Sequence, residues 1–150
     1  MDGPLKNLLV IDLTRVLVGP YFTMILSDLG SRVIKVEATE VGDDSRKFGH
    51  FIDDYSAYFM SLNRGKESIA LNLKNSDDKK IFDKILSKAD ILVENFKPGT
   101  LDRWGFGWKE VNKKYPKLIY ASASGFGQTG PLGELPAYDM VVQGMGGLMS

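Results

Sequence analysis

Hydrophobic positions along this chain fall into five short blocks separated by longer stretches of mixed character. Residues 8–13, LLVIDL, form an apolar run that ends in polar Thr14-Arg15, as expected for a strand covered on both faces. Gly19-Pro20 then opens YFTMILSDLG, where Phe22, Ile25, Leu26 and Leu29 recur at helical spacing and Gly30 suits a C-cap. RVIKVE, residues 32–37, alternates Val33 and Lys35 with Ile34 and Val36 and predicts a second strand. Strand, helix, strand within about thirty residues make a βαβ unit, whose two strands should run parallel.

The stretch 37–54, EATEVGDDSRKFGHFIDD, is polar and aperiodic and predicts a long loop, a length that is uncommon without function. YSAYFMSLN predicts a short helix, and SIALNL, residues 68–73, a third strand. Asn75 or Ser76 can cap the next helix, with Asp77 and Asp78 at the positive end of its dipole. Its apolar face is Ile81, Phe82, Ile85, Leu86 and Ala89, and Lys79, Lys80, Lys84 and Lys88 lie largely off it. DILVENF predicts a fourth strand, WKEVNKKYP a helix ended by Pro116, and KLIYASAS, residues 117–124, a fifth strand. No internal repeat or low-complexity tract interrupts this alternation, which argues for an α/β fold with a mostly parallel sheet.

In such sheets ligands sit beyond the carboxyl ends of the strands. The polar residues after each run therefore form one set: Thr14-Arg15, Glu37, Asn72 with Lys74, Asn95-Phe96-Lys97, and Ser122-Ser124-Gly125. Pro98 suits the first position of a short helix, leaving free N–H groups at an anion-friendly terminus.

Composition narrows the function classes. At 150 residues the chain is long enough for one domain that buries roughly 70% of its unfolded surface. Nineteen basic and nineteen acidic side chains cancel and are interspersed, without the basic excess or stripe of a nucleic-acid binder. No cysteine is present, so a disulfide, a zinc thiolate site and a Cys nucleophile are excluded. No apolar run approaches the ~18–20 residues needed to span a bilayer, and MDGPLKNLLVIDLT lacks the pattern of a secretory leader. A cytoplasmic protein without a membrane partner is expected.

The candidate chemistry is sparse. GFGQTG, residues 125–130, spells a dinucleotide fingerprint after a strand, but Pro131, Gly133 and Pro136 follow where a helix should open. A glycine-rich loop approaching a ligand backbone-first fits better than NAD binding. His50, the single histidine, has no partners for a triad or a metal site and receives no role. Among Phe96, Trp104, Phe106 and Trp108, packing accounts for most of the cluster, and Phe96, at a strand end, is the best candidate to stack on a flat ring. Lys97 and Arg103 are natural phosphate partners or ordinary surface charges. The adjacent acids Asp43-Asp44, Asp53-Asp54 and Asp77-Asp78 point in different directions and make no acid/base pair. Pattern and spacing thus reach a parallel α/β domain with a phosphate-ready rim and no evident catalytic group.

Several stretches together resemble the amino-terminal part of the class III CoA-transferases, the group of formyl-CoA transferase and carnitine CoA-transferase with alpha-methylacyl-CoA racemase as a relative. They are PLKNLLVIDLTRVLVGPYFTMILSDLGSRVIKVE, DDSR, SLNRGKESIALNLK, ADILVENFKPGTLDRWGFGW, LIYASASGFGQTGP and PAYDMVVQGMGGLMS, in order over almost the whole chain. The resemblance implies a Rossmann-like, mostly parallel sheet with flanking helices, residues 1–150 being the amino-terminal CoA-binding part of a larger fold that forms interlocked dimers. It implies CoA-binding roles for Val16 and Leu17 near the acyl group and for Leu71, Asn72, Leu73 and Lys74 at the nucleotide. It implies the same for Asn95, Phe96 and Lys97 at the fourth strand end, for Arg103 facing the CoA phosphates, and for Ala137 and Tyr138 near the thioester.

The implied activity is transfer of CoA between an acyl-CoA thioester and a carboxylic acid acceptor through an aspartyl mixed anhydride. Coenzyme A is then substrate, not a permanently bound cofactor. Such covalent catalysis splits one difficult transfer into easier steps. The family pattern puts the nucleophilic Asp some twenty residues past GGLMS, so Asp139 is not it, no catalytic residue is expected within 1–150, and these residues alone are expected to lack turnover. Two departures stand out. Ala38 occupies a position often basic in the family, which shifts phosphate binding onto Lys74, Lys97 and Arg103. Leu17 replaces the amide of formyl-CoA transferases, which argues against an oxalate or formyl substrate. The alternatives are a racemase, in which a His would stand at Tyr138, and a non-catalytic nucleotide-binding module. A phenol with an ordinary pKa of about 10 is a poor substitute for a neutral-pH base.

Overall fold

The computed structural model describes residues 3–149. Its sheet contains five strands: β1 (Leu9–Asp12), β2 (Arg32–Glu37), β5 (Glu67–Ala70), β6 (Ile91–Glu94) and β7 (Ile119–Ser122). They lie in the order β5-β2-β1-β6-β7, and every neighbouring pair is parallel. The register places Val10 beside Val33 on one side and beside Ile91 on the other, so the central strands carry an apolar band across the sheet. The mostly parallel α/β sheet expected from the sequence is therefore present, with β2 spanning the expected 32–37 and the other four strands shorter than the runs that announced them.

The two faces are covered differently. On one face Ile11, Leu13, Val36 and Leu92 meet Phe82 and Leu86 of helix α3 (Ser76–Leu86), together with Leu101, Phe106, Val111 and Leu118. Phe82 is fully buried and stands edge-on to Phe106 at 4.7 Å between ring centres. Asn75 caps α3 by accepting from the Asp77 N–H at 2.7 Å, which leaves Ser76 inside the helix. Helices α4 (Thr100–Trp104) and α5 (Trp108–Lys114) complete this layer, and Lys114 and Tyr115 both reach Asp83 to fasten α5 to α3.

The opposite face, built on Val10, Val33 and Val93, receives helix α1 (Val18–Asp28) in an unexpected orientation. The apolar residues at helical spacing, Phe22, Ile25, Leu26 and Leu29, do not make its inner face. Only Leu26 is buried; Phe22, Ile25 and Leu29 are exposed, in one stripe with Val18 and Tyr21. The inner face is Gly19, Pro20, Thr23, Met24, Leu26 and Ser27. Close approach explains the choice, because a Cβ on Gly19 would lie 2.2 Å from Thr14 Cβ. Thr23 supplies the other reason: its hydroxyl donates to the buried Asp12 carboxylate at 2.6 Å.

The stretch 37–54 contains more order than its polarity suggested. It holds a 3-10 turn (Asp44–Lys47) and the first half of a small antiparallel hairpin, β3 (Phe51–Ile52) and β4 (Tyr55–Ser56). Ser56 then caps α2 (Ala57–Leu62), accepting from the Phe59 N–H at 3.1 Å. A last helix, α6 (Asp139–Met145), has no counterpart in the sequence reading, because one polar pair, Asp139 and Gln143, is too little to define a period over seven residues. Among the described residues no helix is long and apolar enough to cross a membrane.

Two substitutions test this packing by urea denaturation. Phe82→Ala should lower the unfolding free energy by about 3–5 kcal/mol through the cavity it leaves. Gly19→Ala, a single added methyl, should cost about 1–3 kcal/mol because it drives α1 off the sheet.

Candidate functional site

The carboxyl ends of β1, β2, β5 and β6 open on a cleft of about 360 Å³. Leu13, Val36, Leu71 and Leu73 give it an apolar floor, and residues 37–43 form one wall. Phe96 and Trp104 make the facing edge, their rings at 5.4 Å in a T-shaped pair. The segment after β5 continues the rim: the Asn72 N–H donates to Asp78 at 2.8 Å, and Asn72 Oδ1 accepts from the Lys74 N–H at 3.1 Å. Leu71, Asn72, Leu73, Lys74 and Phe96 therefore all line one cavity.

The remaining expected site residues lie outside the cleft lining. Asn95 does not line the cleft; its amide accepts from the Arg15 N–H and donates to the Arg15 carbonyl, both at 2.8 Å. Lys97 is exposed just past the β6 end, and exposed Arg103 on α4 donates to Thr100 at 3.0 Å. Val16 and Leu17 are exposed on the turn between β1 and α1, next to cleft-lining Arg15. Ala137 and Tyr138 stand apart from the cleft, at the start of α6, with Tyr138 73% exposed. A Cβ on Gly125 would fall 1.8 Å from Ala137 Cβ, so the glycine-rich loop lies against this segment. That loop opens no helix, and its Gly127 and Gly130 take positive φ, which is turn geometry.

Behind the cleft lies a constellation that sequence reasoning missed. Asp12, Lys35, Asp43 and Lys66 are buried almost completely at the carboxyl end of the central strands. Lys66 pairs with Asp12 at 3.0 Å and Lys35 with Asp43 at 2.9 Å. Asp12 further accepts from the Thr14 N–H, the Thr14 hydroxyl and Thr23. Lys35 donates to the Thr14 carbonyl at 2.8 Å. Asp43 accepts from the Val16 N–H at 3.1 Å and from Ser45 through both its N–H and its hydroxyl. Beside them Glu37 receives both arms of Arg46 at 2.7 Å and the Ser68 hydroxyl. One signal was available, since Asp12 and Lys35 interrupt neighbouring apolar strands and stand opposite each other in register. Removing one partner of a buried pair strands the other charge, a loss of about 3–5 kcal/mol.

These contacts set the protonation states. Burial alone raises a carboxyl's pKa, but Lys35 and Ser45 outweigh it at Asp43, and Arg46, Ser68 and the Asp43 N–H outweigh it at Glu37, so both are held below their ordinary values. Burial lowers Lys66 despite its ion pair. Glu94 goes the other way, because burial raises it more than the bonds from Ser122 and the Phe96 N–H lower it.

Sequence and fold both match known proteins. The model of CoA-transferase family III matches residues 5–150, and the chain belongs to that family. An acetyl-CoA:oxalate CoA-transferase of Acetobacter aceti is 58% identical over 98% of this chain. A succinyl-CoA:glutarate CoA-transferase of Mus musculus is 45% identical over 97% of it. A CAIB/BAIF family protein from Brucella suis superposes with a TM-score of 0.93 over 99% of the chain at 40% identity. The chain spans 38% and 34% of the lengths of the two transferases and 40% of the Brucella protein.

A pH test follows from the depressed carboxyls. Their stabilisation is full above the ordinary values of 3.8 for Asp43 and 4.5 for Glu37, and is lost as pH falls through the lower folded values. Urea midpoints measured from about pH 5 to about pH 2 should fall steeply in the wild type, and Glu37→Gln should flatten part of that descent.

Proposed function

We propose that this chain supplies the CoA-binding part of an enzyme that moves CoA between an acyl-CoA thioester and a carboxylic acid. The observation that carries the reading is the strand-end cleft, with its apolar floor and the Phe96–Trp104 edge. The flat adenine suits the aromatic edge, and Lys74, Lys97 and Arg103 stand at or near the rim to meet phosphates. The turn carrying Val16 and Leu17 then faces the acyl end.

Chemistry follows the family pattern. An Asp outside these 150 residues attacks the thioester carbonyl, the C–S bond breaks and CoA leaves as thiolate. The thiolate attacks the aspartyl carbonyl of the resulting mixed anhydride and expels the donor acid. The acceptor carboxylate then displaces CoA from the aspartyl thioester, and the freed thiolate takes the acceptor acyl group and releases the Asp. No permanently bound cofactor takes part. Tyr138, where a racemase would place its His base, favours transfer over racemisation. The intact enzyme acts as a homodimer in the cytoplasm. Oxalate and glutarate in the relatives' names favour a dicarboxylate acceptor. The name of the 58% identical relative brings oxalate back into consideration despite Leu17, so both diacids belong in the assay.

Calorimetric titration of the intact protein with CoA, with NAD as control, tests the reading. CoA should bind and NAD should not, and Arg103→Ala should weaken CoA about tenfold by removing a charge-assisted contact. Binding of NAD in place of CoA would return GFGQTG to a dinucleotide role.

A further inference from the structure

Val16 is a β-branched residue at φ 70°, in the left-handed region that such side chains avoid. A conformation of this kind persists where its surroundings over-determine it. Here three consecutive backbone groups of the turn are held by side chains from elsewhere in the chain. Asn95 takes both the N–H and the carbonyl of Arg15, and Asp43 takes the N–H of Val16. Asp43 is aimed in turn by the Lys35 ammonium, which also holds the Thr14 carbonyl one residue before the turn. The residue after the wall adds a second tie, Asp44 to the Arg15 guanidinium at 3.1 Å.

We propose that Asp43, aimed by Lys35, is a positioning residue that holds the Arg15–Leu17 turn in its left-handed form and thereby sets where the acyl end of the substrate lies. Asp43 also lines the wall of the cleft through residues 37–43, so one carboxylate fixes the wall and the turn relative to each other. The inference rests on the CoA reading for its ligand but not for its geometry. It requires the acceptor oxygen at position 43 rather than the charge. A glycine at position 16 should make the device dispensable, because glycine adopts positive φ unaided.

The experiment compares neutral pairs in the intact protein, so that no variant leaves a buried ion unpaired. Lys35→Met/Asp43→Asn keeps an acceptor for the Val16 N–H; Lys35→Met/Asp43→Ala removes it. Turnover by the alanine pair should fall about tenfold below that of the asparagine pair, the scale expected for a misplaced reacting group. Adding Val16→Gly to the alanine pair should restore most of the loss, a rescue that a purely structural role for Asp43 would not produce. If alanine leaves a cavity that unfolds the protein, Lys35→Met/Asp43→Leu fills it and makes the same comparison. Equal turnover by the asparagine and alanine pairs, or no rescue by glycine, overturns the proposal. Hydrogen exchange at the Val16 amide supplies a readout without substrate: its protection should drop in the alanine pair alone. A drop there in a protein that binds no CoA would refute the CoA reading while upholding the hold on the turn, and unchanged protection would refute the hold itself.

Discussion

The constraint on which this structure depends is the burial of two lysines and two aspartates at one end of a parallel sheet. Charges in such a place are tolerated only when each is paired and hydrogen-bonded, and here each aspartate collects several donors beyond its lysine. The arrangement draws on β1, β2, the segment after α2, helix α1 and the wall 37–43 at once. Its satisfaction therefore requires all of these to be in place together. An apolar core is indifferent to small shifts in a way that four interlocking ions are not, so the network specifies one geometry for the chain around it.

That geometry is what the cleft inherits. The floor is made of strand-end leucines and valine, which any parallel sheet could offer, but the wall beyond Glu37 and the β1–α1 turn lie outside the sheet. They are held by side chains: Glu37 with Arg46, Asp43 with Ser45 and Val16, Asn95 with Arg15. The ordered loop is thus an outgrowth of the buried ions. Burial and pairing also oppose each other differently from residue to residue, leaving Asp43 and Glu37 readily ionised and Glu94 less so.

Much of the fold could be read from the chain because strands buried on both faces leave an unmistakable apolar run, and α3 has a full polar face to set its period. The cleft could be read too, at Asn72, Lys74 and Phe96, because strand ends in parallel sheets are where ligands collect, while Leu71 and Leu73 followed only from the family resemblance. Three things escaped. Helix α1 was turned about its axis because periodicity counts apolar residues and cannot see that Gly19, Thr23 and Ser27 make the closer contact. The hold of the Asn95 amide on the Arg15 backbone could not be read, because it depends on a partner eighty residues away in sequence. The buried ions were missed because a lysine inside an apolar strand reads as an outward-facing residue unless its counter-ion is known.

Helix α1 carries a lesson for anyone who would engineer the protein. The usual route to a sturdier helix is to enlarge or oil its inner surface and to make its outer surface polar. On α1 that route runs backwards. Replacing Thr23 with valine would keep the shape and discard the hydroxyl that Asp12 depends on, and a leucine at Ser27 would press on the chain at Gly65, where even an added Cβ would fall 2.6 Å from the serine oxygen. The inward positions accept little change in size or chemistry, so a library biased toward apolar inner faces would discard the working sequences first.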